Sequence, residues 1–200
     1  LQQVEWFAER RPQIAMQRRA ADRKRMIDAL EAAGDPLARE FAQAAADAET
    51  AARVFRDAGD FPLLSGGDIN LYSLFVERAA ALVAPQGVVG LLTPSGIAAD
   101  KGAAEFFRAI SGNGRLGALF DFENKKIFFP DIHASFKFSV LVFGGAQRRF
   151  ETTRCAFFLH AAGELDAPDR ILGLSAADFL LVNPNTGAAP IFRTRRDAEI

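Results

Sequence analysis

The connection between two apolar, alternating segments constrains this fold most. RLGALFDFE (115–123) and ASFKFSVLVFGG (134–145) both read as strands, and only residues 124–133 lie between them. A parallel crossover needs a dozen or more residues, usually with a helix, so these two strands are expected to be antiparallel neighbours. Upstream, INLYSLFVERAAALV repeats Leu71, Leu74, Phe75 and Leu82 at helical spacing, with Asp68 as its expected N-cap and Pro85 and Gly87 as its stop. VVGLLTP (88–94) is a continuous apolar run, the pattern of a strand buried on both faces. Pro94-Ser95-Gly96 turns it into a helix carrying Phe106, Phe107 and Ile110. The succession predicts an α/β sheet that is parallel until it ends in an antiparallel strand.

The flanking regions differ. Residues 1–58 read as helices punctuated by Pro12 and by Gly34-Asp35-Pro36, with no strand pattern. Ile14, Ala21, Ile27 and Leu30 are expected to share an inward face, and Arg18, Arg19, Arg23, Lys24 and Arg25 to cover the rest. That charge run suits a solvated helix face or a nucleic-acid contact. Residues 146–200 read as one more strand (CAFFLH), a short helix capped by Ser175, and a closing linker.

Composition narrows the chemistry. A net charge of -1 provides no global attraction to polyanions, so any such contact must be local. One cysteine and two histidines supply neither an internal disulfide nor a four-ligand zinc site, which points to a reducing, cytoplasmic setting and to no metal. The most apolar stretch, AAALVAPQGVVGLLTP, is broken at Pro85-Gln86-Gly87, far short of a membrane span. No phosphate-gripping glycine loop is present.

Four groups of residues are candidates for a site. Thr93, Pro94, Ser95 and Gly96 follow a strand at its carboxyl end, where open α/β sheets bind ligands. Asp121 and Glu123 alternate with phenylalanines and so share one face. Phe128 and Phe129 precede Pro130 at a strand entrance, as core residues or as a flat wall for a planar base. Lys125 and Lys126 have no role in an ordinary hairpin. His133 and His160 have no evident nucleophile beside them.

In order, GDINLYSLFVERAAALVAPQGVVGLLTPSGIA, then FF, then LGALFDFENKKIFFPDIHASFKFSVLVFGG, resemble the second half of the catalytic domain in amino-group adenine DNA methyltransferases. The likeness is to the large single-chain enzymes of bacterial restriction-modification and phage-defence systems. NPNTGAAPIFRTRRDAEI also resembles the segment that precedes their target-recognition region. The resemblance implies a class I, Rossmann-like sheet whose last strand is antiparallel, with this chain holding its fifth to seventh strands. Residues 1–58 would then be a helical insertion, 59–145 the carboxyl-terminal half of the methyltransferase domain, and 146–200 the lead towards target recognition.

The glycine-rich loop for S-adenosylmethionine and the Asn-Pro-Pro-aromatic motif that grips the adenine are both expected before Leu1. Asn183-Pro184-Asn185 lacks the second proline and the aromatic. In such enzymes the flipped adenine stacks on the catalytic aromatic, and an aromatic at the entrance to the seventh strand closes its other face. The resemblance places that role on Phe129, with Phe128 the neighbour one step away. It places Lys125 and Lys126 near the phosphates of double-stranded DNA, and Thr93, Pro94, Ser95 and Gly96 at the pocket rim. It leaves room for a fused nuclease or target-recognition domain, and it makes the chain by itself inactive. The competing readings are a non-catalytic interaction domain on a methyltransferase-derived sheet and a methyltransferase for RNA or protein.

Overall fold

A computed structural model describes residues 1–66, 69–167, 169–184, 188–192 and 195–198. The expected N-cap Asp68, and Asn185 with parts of the closing linker, lie outside the described residues. The chain divides into two compact units, Leu1–Asp60 and Phe61–Ile200. No helix among the described residues is long and apolar enough to cross a membrane.

The first unit is helical: α1 (Gln3–Ala8), α2 (Pro12–Ala15), α3 (Ala20–Ala32) and α4 (Pro36–Asp57). Gly34 ends α3 at a φ of 65°, and Asp35 caps α4, its carboxylate accepting from the Leu37 amide at 2.9 Å. Pro36 follows at the first helical position, where its missing N–H costs nothing. The expected inward stripe is only partly formed. The chain bends between α2 and α3, so Ile14 is buried while α3 buries no residue. The unit's apolar centre is Phe7 instead, packed with Trp6 and Phe41. Within the charge run Arg25 pairs with Asp22 and Lys24 with Asp28 on α3, and Arg23 donates to the Gln17 carbonyl just before it.

The second unit is α/β. Its elements are α5 (Leu71–Leu82), β1 (Val88–Pro94), α6 (Gly96–Ala99), α7 (Ala104–Ser111), β2 (Leu116–Glu123), β3 (Lys137–Gly144), β4 (Thr153–Leu159), β5 (Leu172–Leu174) and α8 (Ala176–Val182), with the short α9 (Arg195–Ala198) after it. The sheet order is β1-β3-β2-β4-β5. The short 124–133 connection does make β2 and β3 antiparallel neighbours. β3 is also antiparallel to β1, so it lies between two strands that run the same way. β4 is parallel to β2 and β5 antiparallel to β4, which makes the sheet mixed. Two strands, β3 and β5, therefore run against the other three, β3 within the described sheet and β5 at its edge.

β1 differs from the strand expected. It lies at the sheet edge, and its residues alternate, with Val88 and Leu92 more than half exposed and Val89, Leu91 and Thr93 turned inward. A continuous apolar run cannot distinguish burial on two faces from an apolar edge awaiting cover. α5 has the same character: Asn70 caps it, Leu74 and Val76 are buried, and Leu71, Phe75 and Leu82 are exposed. Glu77 is buried there because its carboxylate accepts from the amides of Leu63 and Leu64, both at 2.8 Å.

Leu91, Leu141, Leu119 and Cys155 form one register row that faces the larger core. Phe106, Phe107 and Ile110 of α7 and Phe179 of α8 cover it, with Phe106 edge-on to Phe143 at 6.0 Å. Burial pushes the Cys155 thiol up to about 12, so it serves as an inert small apolar group. The opposite sheet face carries a smaller cluster around Phe122, Ala156 and Leu159. Phe143 is fully buried at the centre of the larger core. Phe143→Ala is therefore expected to cost ~3–5 kcal/mol, measured by denaturant unfolding.

Candidate functional site

The carboxyl ends of β1 and β2 and the entrance to β3 all lie at one end of the sheet, as the pairs Pro94↔Phe138 and Glu123↔Lys137 require. The segment 124–136 folds back on this end around one side chain. Asn124 is 1% exposed and uses every hydrogen-bonding group it has. Its side-chain amide donates to the carbonyls of Phe129 and Ile132 at 2.9 and 3.1 Å, and its side-chain oxygen accepts from the Phe129 amide at 2.9 Å. Its backbone N–H donates to Phe136 and its carbonyl accepts from Ile127. An ordinary strand-end asparagine is a turn former, and this one clamps both the backbone N–H and the C=O of a residue five positions on. The reach requires a sharp reversal, and Lys125 and Lys126 adopt left-handed φ values of 42° and 61° to supply it. Such conformations are uncommon for residues other than glycine and mark a backbone held by its surroundings.

The clamp sets Phe129 against a cavity of about 840 Å³ whose other walls include Thr93, Pro94, Ser95 and Gly96. Phe129 is 40% exposed and meets Phe138 edge-on at 5.3 Å. The remaining lining separates by polarity. Ile132, Phe136 and Phe138 extend the aromatic side, while Asn70, Tyr72 and Asp100 make the side opposite in character. Gly96 belongs to this wall for a steric reason: a Cβ there would collide with the Asp100 carboxylate and crowd the Tyr72 hydroxyl. Burial raises the Tyr72 phenol above its ordinary value, with the Asp100 charge adding to the effect, so it remains a neutral donor at pH 7.

Phe128 is turned the other way. It packs edge-on against Phe122 and Phe138 in the smaller apolar cluster and does not line the cavity. Phe138, on the apolar run of β3, is half-buried, stacks on Phe122 and lines the cavity beside Phe129. The register explains this, since Phe138 pairs with Pro94 and Phe122 on the face away from the larger core.

The two carboxylates share a face and have separate environments. Burial pushes the Asp121 carboxyl up, opposed by the Ser139 hydroxyl that donates to it at 2.9 Å. Glu123 lies two residues further out, hydrogen-bonded to His160 at 2.8 Å and paired with Lys125 at 3.2 Å and Lys137 at 3.3 Å. The His160 hydrogen bond, then those from the lysines, brings its carboxyl down to about 2. Lys125 is thus held at the strand end, while Lys126 is exposed on the outer side of the reversal and neither lysine lines the cavity. His133 bonds Ser135 at 2.8 Å. Sequence reasoning missed Asn124, Tyr72 and Asp100. Only the first left a signal, an asparagine just past a strand end.

Two outcomes are expected from this arrangement. Asn124→Ala leaves the Phe129 amide and two carbonyls without partners and should cost ~2–4 kcal/mol in denaturant unfolding, with the Phe129 amide exchanging much faster. Glu123 has a folded value below the ordinary carboxylate range of about 4.5, so its contribution to stability is present above that pH and fades as pH falls towards 2. Glu123→Gln should therefore destabilise by ~1–2 kcal/mol at pH 7, and the difference from wild type should vanish near pH 2 in urea titrations at each pH.

Residues 60–128 match the family model described as Eco57I restriction-modification methylase. No curated protein matches the chain. Among solved structures it is similar to one described as "cryoEM structure DrdV-DNA complex", at 12% identity and a TM-score of 0.40, covering 59% of this chain. The chain spans 14% of that relative's length. The resemblance to restriction-modification methylases read from residues 60–145 is thus found by the family model over most of the same stretch.

Proposed function

We propose that this chain, with a restriction-modification methylase segment at residues 60–128, is the carboxyl-terminal half of a DNA adenine-N6 methyltransferase domain. The observation that carries the reading is the cavity itself. It joins a rigidly held, partly exposed phenylalanine to the turn at the carboxyl end of β1. In this reading Phe129 stacks on one face of an adenine flipped out of double-stranded DNA, and Asn124 sets the ring's position by holding its backbone N–H and C=O. Thr93, Pro94, Ser95 and Gly96 form the rim. Phe128 supports the wall from behind through Phe138.

The aromatic side of the lining, Phe129, Phe136 and Phe138, suits a planar base, and Asn70, Tyr72 and Asp100 offer polar groups to its edge. S-adenosylmethionine supplies the methyl group in this reading, and its binding is assigned to no residue here. In this reading the exposed Lys126 meets a flanking phosphate, and Lys125 does so while retaining its bond to Glu123. Such contacts position the duplex without reading sequence.

The unpaired edge of β1 and the exposed Leu71, Phe75, Leu82, Val88 and Leu92 support the half-domain reading, because a sheet edge with apolar neighbours ordinarily finds cover. The amino-terminal half, with its cofactor loop and gripping motif, is the cover we assign, which makes this chain inactive by itself. The helices of residues 1–58 are then an insertion. The region after 145 leads towards target recognition, a fused nuclease is compatible with the arrangement, and the whole acts in the cytoplasm.

The test uses the full natural protein carrying these residues. Phe129→Ala should lose ~1–3 kcal/mol of base stacking, read as slower methylation and weaker capture of the flipped base, with cofactor affinity and melting temperature near wild type. Phe143→Ala is the matching control and should instead melt early. If Phe129→Ala melts early yet methylates normally once folded, Phe129 is a structural residue and the reading is wrong.

A further inference from the structure

Thr93 is the last inward-facing residue of β1 and occupies the same register row as Ser139 and Asp121. Two residues back, the same face carries Leu91, Leu141 and Leu119 in the larger core. A polar row therefore closes the core at the end of the sheet where the cavity lies. Two members satisfy each other, the Ser139 hydroxyl donating to the Asp121 carboxylate. The third does not. Thr93 is only 5% exposed, and its buried Oγ1 has no hydrogen-bond partner among the described residues. Buried hydroxyls are ordinarily partnered, and the backbone of β1 would accept the isosteric valine equally well. The unpartnered oxygen belongs to a residue that lines the cavity, together with Phe129.

We propose that the Thr93 hydroxyl is a specificity-determining contact to the polar edge of the base that enters this cavity. The inference rests on the base-pocket reading and adds to it a hydrogen bond from a named atom. A planar heterocycle answers both features at once, a π-face for Phe129 and a ring nitrogen or exocyclic group for Thr93. An apolar ring of the same size answers only the first and leaves Oγ1 unpaired, which discriminates against it.

The experiment titrates the full natural protein with adenosine and, separately, with toluene as a ring without a polar edge, following dissociation constants by NMR. Thr93→Val should weaken adenosine about five- to thirtyfold and leave toluene unchanged, while Thr93→Ser should stay within about threefold of wild type. Phe129→Ala should weaken both ligands. Because Thr93→Val removes an unpartnered buried oxygen, its melting temperature should equal or exceed that of wild type. If Thr93→Val binds adenosine as wild type does while Phe129→Ala does not, this inference falls and the base pocket stands. A clear drop in melting temperature for Thr93→Val would likewise overturn it, by showing that the hydroxyl serves the fold. If adenosine fails to bind wild type, or binds Phe129→Ala unchanged, the base-pocket reading fails and this inference with it.

Discussion

The site depends on the hydrogen bonds of one buried amide. Asn124 grips the N–H and C=O of Phe129 together, and nothing else in the segment is positioned as firmly. Remove that grip, and the aromatic wall, the reversed lysines and the entry to β3 have no common reference. The energetic logic is that of a closed polar network: each partner is satisfied, so burial of the amide is tolerated, and the geometry follows from the requirement that none be left unpaired. Two lysines in a left-handed conformation are then the cost of reaching the clamp, which explains why a reversal without glycine persists at this point.

Much of the α/β unit was legible because its elements announce themselves through local chemistry. The short 124–133 connection determined the β2–β3 pairing, Gly34-Asp35-Pro36 marked a helix boundary, and Phe106, Phe107 and Ile110 were inward-facing as their spacing required. What was not legible depended on neighbours far away in sequence. VVGLLTP reads the same whether one face or two are covered, and only the pairing with β3 reveals that β1 is an edge. Phe138 sits on an apolar run, and only the strand register shows that it reaches the cavity. Adjacent phenylalanines posed the same difficulty. Phe128 and Phe129 are indistinguishable by composition, and the Asn124 clamp is what sends one to the cluster and the other to the cavity.

The acidic pair shows how proximity alone misleads. Asp121 and Glu123 share a face two residues apart, yet burial raises one carboxyl and hydrogen bonds from His160, Lys125 and Lys137 lower the other. Neither lines the cavity. Glu123 ties together the ends of three strands, since Lys137 begins β3 and His160 follows β4. It thus braces the rim from which the 124–136 segment departs, and Lys125 is drawn into the same brace.

The free edge of β1 has a practical consequence for anyone handling this chain. Its outward N–H and C=O groups form a ladder with one rail, flanked by Val88 and Leu92, and a second copy of the same strand satisfies that ladder as well as any natural neighbour does. Produced in isolation at high concentration, the chain is therefore prone to pair with itself edge to edge. A lysine at Val88 or Leu92 would act as a solubility gatekeeper, raising the cost of such pairing without touching the larger core.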